Sequence, residues 1–415
     1  MDRDVTAGPW SLRELVGALA AGDTTPADAL ARSRARIDET EADLRAWVVR
    51  DPAPGLATGP LGGVPLGVKD IIDVAGLPTG CGSSLRAGAA PAAADAAVVA
   101  AWRRAGAVPV GKTVTTEFAY FSPGPTRNPA APGHTPGGSS SGSAAAVAAG
   151  QVPLALGTQT AGSVTRPASF CGVASLVLTR GRLPMDGVAG LSPSLDSHGL
   201  YTARVSDLAL AWSALSGEPD VAAAAGRPPR LLVWTPASLD AGMADALAAA
   251  RGRLADAGAV VEDFPDERLV TEVTAAHPVV MAYEAARERA DELAVVSRLS
   301  EQLARLLRTG AATSRDDYEA ARRAVAEAGT RVAELLAGYD AVLGPAAPGP
   351  APTGLAATGD PVLSRPWQTL GLPAATVPGP RDAAGLPLGL QLVGRAREET
   401  ALLAAGCWVE AALTR

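Results

Sequence analysis

Segments with the hydrophobic period of a helix alternate with short apolar runs along this chain. A capping box at Ser11 and Glu14 opens the first helical segment, and Thr25-Pro26 opens the second. The period predicts helices at residues 11–21, 26–37, 95–105, 206–215, 241–255, 284–307, 315–336 and 398–412. The apolar runs predict strands at residues 46–49, 64–68, 108–110, 152–156, 231–234, 341–343, 374–377 and 388–393.

This alternation is typical of an α/β protein whose central sheet is covered on both faces by helices. No internal repeat and no strong composition shift divides the 415 residues, so we expect a single domain over 1–415. It would begin with N-terminal helices at 10–40. The largely helical segment 238–338 would form a lobe that covers one side of the sheet. The Pro/Gly-rich segment 345–359 is predicted to be a long loop, which is often a binding surface.

Composition limits the function classes. Hydrophobic residues make up 47% and charged residues 19%, which indicates a globular protein, and the net charge of −7 argues against a nucleic-acid or anionic-membrane surface. Residues 1–4 lack the apolar segment of a signal peptide, and no apolar run is long enough to span a bilayer. We therefore expect a cytoplasmic protein. Three cysteines without metal-ligand spacing and only three histidines favour buried thiols and argue against a metal site.

Two loops of small residues provide the candidate chemistry. Residues 137–142 read GGSSSG and residues 160–163 read TAGS, and an alanine-rich helix and the strand at 152–156 lie between them. Loops with so few large side chains let backbone N–H groups approach a ligand, and each loop also offers a serine hydroxyl. A nucleophile, a proton carrier and an oxyanion hole are what an acyl-transfer site needs.

One serine of the first loop matches a known nucleophile motif. Residues 138–142 fit the G-x-S-x-G elbow of α/β-hydrolases, with Ser140 as the nucleophile. That motif requires a strand before it and a catalytic histidine after it, yet the preceding residues 129–138 are rich in Pro and Gly. We expect His134, His198 and His277 to fill turns or core edges, so this alternative is disfavoured.

Lysine is the other candidate base. Of 36 basic residues only Lys69 and Lys112 are lysines, and each follows an apolar run. A desolvated lysine can lose its proton, whereas arginine does not, and serine–lysine pairs replace serine–histidine pairs in some hydrolases. Burial at the end of the strand at 64–68 would lower the pKa of Lys69. The alternative, a lysine at a strand end whose amine extends to solvent, describes Lys112 better than Lys69.

The Lys69 segment, GGVPLGVKDII, together with the Gly/Ser block resembles the amidase signature family of serine hydrolases. The resemblance is dense over a signature core at 59–215, and TQTAGS at 158–163 and PTRNP at 125–129 look most like its malonamidase-type small-amide hydrolases. It implies a single α/β domain with a large mixed sheet. It further implies a catalytic lysine at Lys69, a bridging serine with a cis peptide at Ser139, and an acylated nucleophile at Ser163. The matching oxyanion hole is formed by the backbone of Thr160, Ala161, Gly162 and Ser163.

Substrate contacts are expected around the same loops. Gly138, Ser140, Arg166 and Tyr120 are the candidates. In malonamidase-like relatives the arginine that matches Arg166 binds a substrate carboxylate, and a structural ion pair is the alternative. Phe121, Tyr283 and Trp367 are possible pocket walls or core residues. The family's usual Gly-Gly-Ser is Ala161-Gly162-Ser163 here, and because alanine keeps its N–H, the oxyanion hole is expected to survive.

The resulting hypothesis is a cofactor-free amidohydrolase that cleaves a C–N bond of a small substrate through an acyl-enzyme. The same chemistry serves carbamates and esters, so a urethane- or ester-cleaving enzyme is the nearest alternative. An ammonia-supplying component of an amidotransferase complex is a further one, for which we see no extra domain or tail in the sequence. The expected partner is a small amide or carbamate, with no nucleic acid and no membrane, and a homodimer is possible.

Overall fold

The computed structural model describes residues 8–51, 58–222 and 226–414. The residues at 1–4 that bear on a signal peptide lie outside these ranges, and so do residues 223–225 of the Gly/Pro/Ala-rich connector that the sequence predicts at 217–229. In the described ranges the strands are β1 Trp47–Arg50, β2 Pro65–Lys69, β3 Val108–Thr113, β4 Leu154–Gln159, β5 Ala174–Val177, β6 Ser197–Thr202, β7 Arg230–Val233, β8 Val260–Asp263, β9 Ala341–Pro345, β10 Ala374–Val377 and β11 Leu390–Val393.

The helices connect these strands and cover them. They are α1 Leu12–Ala21, α2 Pro26–Leu44, α3 Ala97–Arg104, α4 Ser141–Ala148, α5 Thr165–Cys171, α6 Val205–Ser216, α7 Ala241–Asp256, α8 Glu267–Glu288, α9 Ala290–Ala294, α10 Glu301–Ala312, α11 Arg315–Leu336, α12 Arg365–Leu370 and α13 Glu399–Thr414. Short 3-10 turns lie at Ser84–Arg86, Glu117–Ala119 and Val296–Arg298.

All the described strands form one mixed sheet in the order β1-β3-β2-β4-β6-β5-β10-β11-β9-β7-β8. The pairs β3/β2, β2/β4, β9/β7 and β7/β8 are parallel. The pairs from β4/β6 through β11/β9 are antiparallel. The sheet therefore changes direction beside β4, which lies next to β2 and carries the second small-residue loop at its end.

Alternate residues of the inner strands belong to two different apolar clusters. On β4, Leu154 and Leu156 pack into one cluster and Ala155 into the other, and on β5 Leu176 and Val177 divide in the same way. Because successive side chains of a strand point to opposite faces, the two clusters lie on opposite sides of the sheet. Residues of α1, α3, α6 and α13 join the first cluster, and residues of α2, α4, α11 and α12 join the second. The expected α/β fold with helices on both faces is confirmed.

Most predicted elements are present, with shifts at their ends. Ser11 caps α1 through the N–H of Glu14, and Thr25 and Asp28 form a full capping box on α2. Residues 315–336 and 374–377 form the helix and the strand that the pattern predicts. The single helix predicted at 284–307 is wrong, because the chain leaves the helical conformation at Arg289 and Val295 and restarts after the N-cap Ser300.

Several elements do not follow from the pattern. The first half of α8 is not predicted because Pro278 interrupts the helical period, although the helix continues through it. The strands β5, β6 and β8 and the helices α5 and α12 are not predicted either. The partition into N-terminal helices, signature core and cover lobe stays a prediction, and the segment 238–338 contains the edge strand β8 in addition to its helices.

Helices α8 and α10 approach so closely that only glycine fits between them. A Cβ at Gly310 of α10 would lie 1.7 Å from the carbonyl oxygen of Ala282 on α8. Because overpacking forces backbone shifts, we expect Gly310→Ala to lower the free energy of unfolding by about 1–3 kcal/mol or more. Gly252 on α7 has no atom within 4 Å of such a Cβ, so Gly252→Ala should raise it by about 0.5–1 kcal/mol. Urea unfolding of both variants checks this, and equal effects would contradict the close packing.

Candidate active site

Lys69 is the last residue of β2, between the parallel neighbours β3 and β4. Its side chain is fully buried. The Nζ atom lies 2.7 Å from the Oγ of Ser139, and it donates to the Oγ1 and the carbonyl oxygen of Thr158 at 2.9 and 3.3 Å. The amine is therefore surrounded by hydroxyl and carbonyl oxygens.

The surroundings of this amine favour its neutral form. Burial lowers the pKa of Lys69 to about 7, and the negative charge of Asp196 opposes this shift. At neutral pH a substantial fraction of the molecules therefore carries an amine with a free lone pair at this position. A proton acceptor thus stands within hydrogen-bond distance of a serine hydroxyl.

Ser139 lies in the turn that precedes α4. The Gly138–Ser139 peptide bond is cis, as the resemblance implies, and the N–H of Thr116 donates to the Ser139 carbonyl oxygen at 3.3 Å. Gly137 has a φ of +79°, and a Cβ there would lie 3.0 Å from the backbone of Pro167. The small residues of this loop therefore allow the chain to turn against α5.

Ser163 lies at the end of the loop that follows β4. Its carbonyl oxygen accepts hydrogen bonds from the Tyr201 hydroxyl at 3.2 Å and from the N–H of Ser140 at 3.3 Å. The Gln159 side chain accepts from the N–H groups of Val164 and Thr165 at 2.9 and 3.1 Å, which curls the loop. Among the described residues, the N–H groups at 161–163 have no hydrogen-bond acceptor within the protein. They remain available to a ligand oxygen.

Two buried side chains hold Thr160 in this loop from opposite sides. Its Oγ1 donates to Asp196 at 2.5 Å, and the Nε2–H of His277 on α8 donates to its carbonyl oxygen at 2.9 Å. Burial lowers the pKa of His277 to about 4, so this ring is neutral at pH 7. Asp196 also accepts from the N–H groups of Leu191 and Ser192, so the loop at 191–196 supports the loop at 160–163.

Arg166 lies on the first turn of α5, next to the nucleophile candidate. One Nη donates to the carbonyl oxygen of Gly138 at 2.6 Å and to the Thr358 hydroxyl at 3.3 Å. The Nε and the other Nη are buried, and no acceptor among the described residues reaches them. Burial lowers the pKa of this guanidinium and Asp360 opposes the shift, yet arginine stays protonated near pH 7. It is a charged donor with unused hydrogen-bonding capacity.

A small cavity brings most of these residues together. Ser139, Ser163, residues 160–162, Arg166 and Tyr120 line it, along with Phe121, Leu191, Met281 and Pro361. Its volume of about 20 Å³ is room for about one water molecule. The wall residues Ala119 and Phe121 have positive φ angles of 62° and 40°, which are strained conformations for these residue types.

Other predicted residues lie elsewhere. Ser140 is fully buried and donates to the Thr158 carbonyl oxygen, and the structure does not bring it to the cavity. Gly138 contacts Arg166 and does not line the cavity either. Tyr283 stacks on Tyr318, and Trp367 packs in the core against Trp234, so neither forms a wall of this cavity.

The expectation for Lys112 is wrong. Its amine is fully buried and does not reach solvent, because it forms an ion pair with Asp70 at 3.1 Å. It also donates to the hydroxyl of Thr79 at 2.9 Å. Lys112 is a structural residue of the sheet core.

Sequence reasoning missed four polar groups behind the cavity. Asp196 and His277 hold Thr160, Tyr201 holds Ser163, and Gln368 donates to the Gln159 carbonyl oxygen at 3.1 Å. Asp196 and Tyr201 had no usable signal, because they lie directly before β6 and in its interior, and the pattern does not predict this strand. His277 and Gln368 had none, since they come from helices more than a hundred residues away in sequence.

The described ranges contain no group of three or more His, Cys, Asp or Glu side chains that could hold a metal ion. Over the same residues, no helix is long and apolar enough to cross a bilayer.

The fold and the cavity together define a class of α/β proteins. In this class, an inner strand of a mixed sheet carries a buried lysine, and two serine-containing loops lie next to it. The Amidase family model matches residues 31–403. The chain is 33% identical to a glutamyl-tRNA(Gln) amidotransferase subunit of Lachnospira eligens, over 97% of this chain and 98% of that protein. It is 35% identical to the putative amidase AmiB2 of Mycobacterium bovis, over 85% and 82% of the two chains.

Solved structures agree with this assignment. The crystal structure of an amidase superposes with a TM-score of 0.86 at 30% identity, over 97% of this chain and 100% of that one. The chain belongs to the amidase signature family, as its signature residues indicated.

The low pKa of Lys69 predicts a pH-dependent cost to stability. Between pH 7 and 10.5 the unfolded chain binds a proton at this lysine that the folded chain does not, so this group makes folding more favourable as the pH rises. Relative to Lys69→Met, the wild-type free energy of unfolding should therefore increase between pH 7 and 9, by at most about 1.4 kcal/mol per pH unit. Urea unfolding at several pH values measures the difference. A constant difference would show that the amine stays charged.

Proposed function

We propose that this chain hydrolyses the C–N bond of a small amide through an acyl-enzyme on Ser163. The observation that carries the proposal is the 2.7 Å contact between the buried Lys69 amine and the Ser139 hydroxyl. Ser139 and Ser163 line the same cavity, so a proton could pass from one hydroxyl to the other and on to the amine. A serine attacks a carbonyl effectively only when a neighbouring base takes its proton.

In the first half of the reaction, Ser163 Oγ bonds to the amide carbon. Its proton moves to Ser139, whose own proton moves to the neutral amine of Lys69. The carbonyl oxygen becomes an oxyanion beside the free N–H groups at 161–163. One such donor contributes about 3–4 kcal/mol of transition-state stabilisation in other serine hydrolases.

Collapse of this intermediate breaks the C–N bond. The proton held by Lys69 returns through Ser139 to the leaving nitrogen, which departs as ammonia or an amine. Water then attacks the ester on Ser163, and the same relay takes its proton and returns one to the Ser163 oxygen. The net reaction consumes one water and releases a carboxylic acid.

Arg166 favours substrates that carry a carboxylate near the scissile amide. Its side chain lines the cavity, and its buried Nε and second Nη lack acceptors among the described residues. A carboxylate could accept a charge-assisted hydrogen bond from one of these atoms. We therefore propose short monoamides of dicarboxylic acids as preferred substrates. Carbamates and esters, which react by the same acyl transfer, remain the nearest alternatives, and a substrate screen separates them.

A second candidate function comes from one relative. The protein from Lachnospira eligens is named as part of an amidotransferase, so this chain could release ammonia to a partner enzyme. Amide hydrolysis by the isolated chain at rates above about 1 per second would favour the independent hydrolase. Turnover that requires a partner protein would favour the amidotransferase role.

The lysine relay predicts that Lys69→Arg abolishes turnover. Arginine keeps the positive charge but cannot accept a proton near pH 7, so kcat should fall by a factor of about 10³ or more. Ser163→Ala should prevent labelling by a fluorophosphonate probe, as measured by mass spectrometry. Ser213→Ala on α6 removes a hydroxyl far from the cavity and serves as the control. An active Lys69→Arg enzyme, or a labelled Ser163→Ala protein, would contradict the relay.

The relay also predicts the pH profile of kcat/KM and the effect of Asp196. Because only neutral Lys69 accepts a proton, kcat/KM should rise with pH around a midpoint of about 7. The charge of Asp196 stabilises the protonated amine, so Asp196→Asn should move this midpoint to a lower pH. The side-chain oxygen of an asparagine can still accept from the N–H groups of Leu191 and Ser192, so this variant keeps support for the loop. A lower rate with an unchanged midpoint would mean that Asp196 only supports the loop.

A further inference from the structure

A second, larger cavity, which we call the outer cavity, adjoins the small one. It has a volume of about 470 Å³ and shares the wall residues Tyr120, Phe121 and Pro361 with the inner cavity. Since the inner cavity has room for about one water molecule, a substrate longer than its scissile group needs additional space, which the adjoining cavity offers. Phe121, which lines both cavities, has a positive φ of 40°.

The outer cavity is lined by more positive than negative charge. Arg305 from α10 and Arg365 from the start of α12 face it, and Asp360 is the single carboxylate among its lining residues. The Asp360 carboxylate accepts from the backbone of Val362. Within residues 8–51, 58–222 and 226–414, neither arginine forms an ion pair, and the buried Nε of Arg365 has no acceptor.

This lack of partners contrasts with a neighbouring helix. Three of the four arginines of α11, namely Arg315, Arg322 and Arg331, each form an ion pair with a nearby carboxylate. The chain as a whole has a net charge of −7, so the charge at the outer cavity is a local excess against an acidic background. Unpaired guanidinium groups that face a cavity are the usual means of binding a carboxylate.

The two charges also act on the wall between the cavities. Burial raises the pKa of the Tyr120 hydroxyl, and the positive charges of Arg365 and Arg305 oppose this rise. Both guanidinium groups are therefore close enough to influence a residue that lines the inner and the outer cavity. A substrate anion bound by Arg305 and Arg365 would therefore lie close to Tyr120.

We propose that Arg305 and Arg365 bind a carboxylate located several bonds from the scissile amide, so that the enzyme prefers amides with a distal negative charge. This inference rests on the proposed amide hydrolysis and adds a binding site beyond Arg166. The inner arginine would serve a carboxylate next to the reacting group, and the outer pair would serve a longer substrate.

The test compares matched chromogenic substrates. One series consists of 4-nitroanilides of acyl chains that end in a carboxylate or a methyl group, with about two to five methylene groups. A second arm places the carboxylate on the nitroaniline ring, which separates recognition of the acyl part from recognition of the amine part. In one of the two arms we expect kcat/KM for the acid to exceed that for its neutral partner by about tenfold. Added salt should reduce this preference, because it screens partly exposed charges.

Variants assign the preference to the outer cavity. Arg305→Gln and Arg365→Gln should each lower kcat/KM for the acid by several-fold and leave the neutral substrate nearly unchanged. Arg308→Gln lies on the same helix and does not line the cavity, so it should change neither value. Equal rates for acids and neutral partners in the wild type would overturn the proposal. A preference that persists in the Arg305→Gln, Arg365→Gln double variant would overturn it as well.

A binding measurement keeps this test separate from the proposed chemistry. The Ser163→Ala protein should bind the favoured acid more tightly than its neutral partner by calorimetry, and the two outer-arginine variants in that background should lose the difference. Selective binding without turnover in the wild type would overturn amide hydrolysis and support the anion site. Turnover without selective binding would support amide hydrolysis and overturn the anion site.

Discussion

The removal of the Lys69 amine from water is the constraint on which the rest of the site depends. The strand that carries it lies inside the sheet, and residues on either side of that sheet are buried. An ammonium ion in such a place is costly unless a carboxylate pairs with it directly. The atoms that contact this amine are the uncharged oxygens of Ser139 and Thr158, and their hydroxyl groups can also donate to the lone pair of a neutral amine. Burial therefore converts an ordinary cation into a base.

The fold holds this base and its partners through elements that are distant in sequence. The direction change beside β4 lets β6 pair with it antiparallel, which brings Asp196 next to the end of β4. Helix α8 crosses the same point and contributes His277 to Thr160 and Met281 to the cavity wall. One helical turn beyond Met281, the Glu284 carboxylate accepts from the Ser192 and Ser194 hydroxyls. The loop at 191–196, which supports the loop at 160–163, is thereby attached to helix α8, so a movement of α8 would shift both loops.

Local patterns predicted the fold better than they predicted the surroundings of the site. Capping residues at Ser11 and Thr25 and the long period of α11 are local signals, and they place the starts of these helices within a residue of the observed ones, although α2 ends seven residues later than predicted. Lys69, Ser139 and Ser163 also belong to dense local motifs, so their common position could be anticipated. The Asp196–Thr160–His277 contacts could not, because a sequence carries no sign of which helix will cross a given strand end.

The two lysines show why local pattern alone cannot assign chemistry. Each follows an apolar run, each lies on an inner strand, and the strands β2 and β3 that carry them are direct parallel neighbours. Yet the Lys112 amine forms an ion pair with the Asp70 carboxylate, whereas the Lys69 amine forms hydrogen bonds with hydroxyl groups. The difference arises because side chains of adjacent positions on a strand point to opposite faces, so the Asp70 carboxylate lies on the side of Lys112 and away from the Lys69 amine. A one-residue change in the register of β3 would turn the Lys112 amine to the face opposite the Asp70 carboxylate. The register between β2 and β3, which only the folded sheet defines, therefore decides whether Lys112 has a carboxylate partner, whereas Lys69 lies away from Asp70 in either case.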